Sequence, residues 1–97
     1  MQVRWEEDAI IDLTELRDYI KQDNPEAANK IANKIIESVD LLSQHPLLGK
    51  AGRIHKTREF VISGTPYTLI YLPESDIISI LRIFHQRRYW NKFIEGR

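Results

Sequence analysis

Three runs rich in β-branched and aromatic residues, lying close together near the end of the chain, constrain its fold more than any other feature. They are Arg58 to Ile62, Tyr67 to Leu72 and Ile77 to Phe84, interrupted by Ser63-Gly64-Thr65-Pro66 and by Pro73-Glu74-Ser75-Asp76. Connections this short leave no room for a crossover, so consecutive strands must run antiparallel, as a meander. The third run is apolar at nearly every position, which predicts a central strand covered on much of both faces.

The cover for that sheet is written in the first 45 residues. Val3 and Trp5 alternate with polar neighbours and suit a short first strand, after which Glu6, Glu7 and Asp8 favour the positive end of a helix. Ala9, Ile10, Leu13, Leu16 and Ile20 then fall on one helical stripe. Asn24 can cap a second helix and Pro25 suits its first position, where a missing amide hydrogen costs nothing. Ala28, Ile31, Ala32, Ile35, Val39 and Leu42 carry the second stripe, closed by Pro46, and the two helices make an antiparallel hairpin. From Pro46 to Lys56, Gly49 and Gly52 stand among Lys50, Arg53, His55 and Lys56 without any period, which reads as a mobile basic loop. Arg88 to Phe93 can form a short C-terminal helix, with Trp90 and Phe93 spaced to pack on the sheet.

The expected fold is therefore α+β: an N-terminal strand, then an antiparallel two-helix hairpin packed on a small antiparallel sheet in the order β-α-α-β-β-β, with a short C-terminal helix. At 97 residues a single domain, 1–97, is expected. The chain has no cysteine, which removes disulfides, thiolate chemistry and Cys-type zinc sites. No apolar run approaches the roughly 20 residues that span a bilayer, and the N-terminus lacks the apolar core of a signal peptide, so a cytoplasmic protein without a membrane partner is expected.

Net charge is zero, yet the charge is unevenly placed. Residues 1–45 hold 5 Lys/Arg against 10 Asp/Glu, and residues 46–97 hold 9 against 4, so the halves carry minus five and plus five. Either one face is basic and attracts a polyanion or an acidic protein, or the halves neutralise each other where they pack.

The residues that can carry chemistry gather on the side of the sheet away from the helices and at its C-terminal exit: Lys56, Arg58, Arg82, His85, Arg87, Arg88, Tyr89 and Lys92. Strand alternation puts Arg82 on one side with Ile80 and Phe84, and Arg58 on one side with Phe60 and Ile62. Each arginine can engage an anion, or lie along the sheet with its head in water. His85 can act as a general acid or base, or serve as a hydrogen-bonding structural residue at a strand end. Arg87, Arg88 and Lys92 can bind phosphates or carboxylates, beside the stacking faces of Tyr89 and Trp90. No HExxH, Walker, GxGxxG or GxSxG pattern occurs, and no spacing points to a metal cage.

Taken in order, Thr57-Arg58-Glu59-Phe60-Val61-Ile62, Thr65-Pro66-Tyr67-Thr68-Leu69-Ile70-Tyr71 and Ile80-Leu81-Arg82-Ile83-Phe84-His85, with Arg88 and Trp90 behind, resemble the RelE/ParE toxin superfamily. Trp5, Ala9, Asp12, Leu13, Tyr19-Ile20, Asn24-Pro25, Ala27-Ala28, Leu42, Pro46 and Gly49 resemble its ParE-like branch. The resemblance spans nearly the whole chain. It implies a toxin of a type II toxin–antitoxin system, held in an oligomeric complex by a cognate antitoxin whose C-terminal segment wraps around it, and without a cofactor. ParE-like members poison DNA gyrase; RelE-like members cleave mRNA on the ribosome. RNA cleavage needs an acid or base beside several fixed cations, a role that His85, Arg58 and Arg82 can fill, with Arg87 beside them. The neutral charge and long helical hairpin resemble the gyrase branch more closely, where Lys56, Arg58, Arg82, His85, Arg87, Arg88, Tyr89 and Lys92 serve as contacts for target or antitoxin.

Overall fold

A computed structural model describes residues 1–86. The short C-terminal helix expected over Arg88 to Phe93, and with it Arg87, Arg88, Tyr89, Trp90, Lys92 and Phe93, lies outside the described residues. The elements are β1 (Gln2–Trp5), α1 (Glu7–Asp23), α2 (Pro25–Gln44), β2 (Lys50–Ala51), β3 (Arg58–Val61), β4 (Tyr67–Glu74) and β5 (Ile77–His85). Their order across the sheet is β1-β5-β4-β3-β2, and the helical hairpin covers one face.

The meander β3-β4-β5 is antiparallel, as the short connections require, but the sheet as a whole is mixed because β1 runs parallel to β5. Short loops fix the direction of consecutive strands only. Between β1 and β5 lies most of the chain, ample length for the crossover that a parallel pair needs. β5 is an interior strand, as its apolar run predicts, with β1 on one side and β4 on the other.

The caps follow from the residues at the helix joint. The Asn24 side chain accepts a hydrogen bond from the Ala27 amide at 3.1 Å, and Pro25 opens α2. Ala28, Ala32, Ile35, Val39 and Leu42 of α2 are buried, and of these Ile35, Val39 and Leu42 join the sheet residues in the core, with Ile31 packed against it. On α1, Ala9 and Leu16 are buried and Leu13 and Ile20 pack against the core. Ile10 departs from the expected stripe: a step of one residue turns it about 100° from Ala9, and it is half-exposed.

A β-bulge reorganises the end of β5. The register with β4 passes from Tyr71↔Ile80 to Ile70↔Arg82, leaving Leu81 as the extra residue. One inserted residue exchanges the two faces of a strand. Ile78 and Ile80 therefore face the helices before the bulge and Ile83 does so after it, whereas Leu81 and Phe84 join Ile54 and Ile70 on the opposite face. The expected shared side of Arg82 with Ile80 is thus corrected. Arg82 stays with Phe84, its guanidinium carbon 4.7 Å from the ring centroid.

Two further departures are local. β4 continues through Pro73, past the expected break. Alternation points the Pro73 nitrogen to the side on which β3 has already ended, so its missing N–H costs no ladder bond. The segment expected as a mobile loop contains β2, paired Lys50↔Glu59 and Ala51↔Arg58, and is closed by a hydrogen bond from the Gly52 amide to the Thr57 carbonyl at 2.8 Å.

Candidate interaction site at the exit of β5

β1 accompanies β5 only as far as Ile80, whose carbonyl accepts from the Glu6 amide as the chain turns into α1. Beyond that point a carboxylate takes the place of a neighbouring strand. Asp12 of α1 accepts from the Ile83 amide at 2.9 Å, from Arg82 Nε at 2.8 Å and from Arg82 Nη2 at 3.1 Å. This is a two-toothed guanidinium–carboxylate contact with the geometry that favours arginine over lysine. The hydrogen bond to Asp12 raises the Arg82 pKa above its ordinary value against the opposing effect of burial; the negative charges of Asp12, Asp8 and Glu15 add to the rise. Arg82 is therefore a charge compensated by α1.

His85, three residues on, meets Tyr67 of β4 edge to face, with ring centroids 5.6 Å apart and planes at 89°. Register pairs the same two residues across the strands. The adjoining Gln86 amide donates to the Pro66 carbonyl at 2.8 Å, tying the end of β5 to the start of β4.

Arg58 lies elsewhere. It pairs with Tyr71, and alternation turns it to the helix side of the sheet rather than the uncovered side where the sequence put it. There Arg58 Nη1 donates to the Gly49 carbonyl at 2.6 Å and the Leu47 carbonyl at 3.3 Å. Tyr71 finishes the same joint: its hydroxyl donates to the Pro46 carbonyl and accepts from the Gly49 amide, each at 2.8 Å. Burial pushes the Tyr71 pKa up, against the lowering effect of the Gly49 amide and of the Arg58 charge. Arg58 and Tyr71 together fasten the chain between α2 and β2.

Among the described residues, the candidates are thus not gathered in one pocket. Arg82 and His85 share the exit of β5. Arg58 is two strands away, and its partner Tyr71 is displaced along β4 from Tyr67, the partner of His85, by about 13 Å at the usual rise per residue. Lys56 is exposed in the connection between β2 and β3. Sequence reasoning missed Asp12 as the partner of Arg82. The available signal was an acid between Ala9 and Leu16, on the edge of an inward stripe. It also missed Glu59, a buried carboxylate on the face away from the hairpin that accepts from the Arg53 amide at 2.8 Å.

Comparison with known proteins agrees with this architecture. Residues 3–90 match the family described as the ParE toxin of the type II toxin-antitoxin system, parDE. "Putative toxin Y4kP" of Sinorhizobium fredii is 36% identical over 89 residues, covering 92% of each chain. "Toxin RelE2" of Caulobacter vibrioides is 36% identical over 87 residues, covering 90% of this chain and 97% of its own length. A chain of the chromosomal ParDE TA system from P. aeruginosa superposes with a TM-score of 0.80 at 26% identity, over 88% of this chain and 95% of that one. Fold and relatives together define a toxin of the RelE/ParE superfamily. Within it, the chain belongs to the ParE toxin family of type II toxin–antitoxin systems.

Proposed function

We propose that the protein arrests bacterial growth in the cytoplasm by inhibiting DNA gyrase without cleaving a substrate, and that a cognate antitoxin neutralises it in an oligomeric complex. The observation that carries the choice of target is the dispersal of the cationic groups among the described residues. Cleaving a phosphodiester requires an acid or base with several fixed cations around one phosphate. Here the Arg82 guanidinium is held by Asp12, Arg58 is bonded to main-chain carbonyls, and His85 and Arg58 are two strands apart. On this reading Lys56, His85, Arg87, Arg88, Tyr89 and Lys92 contact target or antitoxin, while Arg58 and Arg82 hold the surface in shape. The antitoxin is inferred from the family and from the ParDE system to which the fold is similar.

The competing reading, ribosome-dependent mRNA cleavage, draws on the closeness of His85 to Arg82 on β5 and on the similarity to a protein named RelE2. Induction of the toxin alone in a bacterial host separates the two. Gyrase inhibition predicts a DNA-damage response with intact transcripts. Cleaved mRNA without that response, lost in His85→Gln, would replace this proposal with the nuclease.

A further inference from the structure

No Asp or Glu occurs between Asp40 and Glu59, a stretch that holds Lys50, Arg53, Lys56 and Arg58. Arg58 is turned onto main-chain carbonyls, and the structure makes a fixed hairpin of the remainder. The Gly52 amide bonds the Thr57 carbonyl, and the Ile54 carbonyl accepts from both the Thr57 amide and the Thr57 hydroxyl. Ile54 is anchored against Ile70 and Phe84, and the Arg53 amide is held by Glu59. A Cβ at Gly52 would collide with Thr57, so the turn admits no larger residue there. What these contacts leave exposed is charge: Lys50, Arg53, His55 and Lys56. Lys50, His55 and Lys56 form no ion pair with any described residue. Lys56 stands at φ 67°, in the left-handed region that glycine occupies freely and a lysine occupies under strain.

We propose that the β2–β3 hairpin, residues 50–56, is a contact for the phosphodiester backbone of duplex DNA. The inference rests on the gyrase reading only in choosing DNA, the polymer on which that enzyme works. The tip lies against the open face of the sheet, where Ile54 packs on Ile70 and Phe84, and residues 50–56 expose no large apolar side chain; the exposed Leu47 and Leu48 lie before β2. A protein interface needs an apolar centre, whereas a phosphate backbone needs only spaced point charges. These bonds fix the backbone that carries the cations before any ligand arrives, so ordering it costs little on binding.

The test is fluorescence anisotropy with a labelled duplex and a single-stranded RNA of equal charge, across roughly 50 to 200 mM salt, without gyrase. Lys56→Gly removes the charge and keeps the backbone conformation, so its melting temperature should equal or exceed that of the parent. Its affinity for the duplex should fall about tenfold at the low-salt end, and the slope of log affinity against log salt should flatten by about 0.9, the contribution of one phosphate. Lys50→Gln should do the same. Loss confined to the RNA keeps the phosphodiester contact and makes RNA its source. Unchanged affinity in both variants, or no binding by the parent at low salt, overturns the proposal. So does a loss seen only in affinity for the antitoxin. Because gyrase is absent from the assay, failure here leaves gyrase inhibition standing, and failure to inhibit gyrase leaves this contact standing.

Discussion

Replacing Asp12 by alanine removes at once the acceptor for Arg82 Nε, Arg82 Nη2 and the Ile83 amide. An exposed ion pair contributes about 0.2–1 kcal/mol, and breaking a fully buried one costs about 3–5 kcal/mol. The two side chains here keep 25% and 13% of their surface, which places the pair between those limits. Water can still reach the freed guanidinium, so its loss is discounted towards the lower figure. The Ile83 amide loses its acceptor at a strand edge and adds part of one hydrogen bond. The sum is about 2 kcal/mol, or roughly 8–16 °C in melting temperature for a domain of this size. Asp12→Asn keeps an acceptor for the amide and should lose about half as much. Thermal and urea melts of Asp12→Ala, Arg82→Ala and the double variant measure the coupling, expected at about 1–1.5 kcal/mol. If Asp12→Ala stays within about 0.5 kcal/mol of the parent, or the two losses simply add, the reasoning that α1 holds the end of β5 through this pair is refuted.

Tyr71→Phe leaves the Gly49 amide and the Pro46 carbonyl without their shared partner and should cost about 1–3 kcal/mol by urea denaturation. The same hydroxyl sets an alkaline limit. Its pKa is raised in the folded state, so between the ordinary tyrosine value near 10 and that raised value the folded chain binds more protons than the unfolded one. Stability from this group is full below about pH 10 and falls as pH rises through the folded value, a decline that melts of Tyr71→Phe should lack. In Gly49→Ala the new Cβ would lie 2.6 Å from the Tyr71 hydroxyl and 2.8 Å from the Glu59 carbonyl, so a loss of about 1–3 kcal/mol is expected in the same melts.

The parts of the fold that were legible in the sequence are those written in local chemistry. Asn24 and Pro25 mark the helix joint, six positions of α2 spell out its inward face, and the turn residues around Gly64 and Ser75 delimit β3, β4 and β5. The bulge at Leu81 was hidden because β5 is apolar on both sides of it, so no break in alternation announces the exchange of faces. β2 was hidden because two residues carry no period. Of the site, the residue types were legible and their engagements were not. Arg82 and Asp12 are 70 positions apart, and only the packing of α1 across β5 brings them together. Arg58 shows the same limit: alternation gave its strand companions correctly, but not which side of the sheet the helices would cover.

The most direct measurement is a supercoiling assay with purified gyrase, relaxed plasmid and increasing toxin, with and without the cognate antitoxin. The account predicts that supercoiling falls as toxin is added and returns when antitoxin is present at matching concentration. Unimpaired supercoiling with toxin in large excess over gyrase, from protein that still arrests growth when induced, would contradict it.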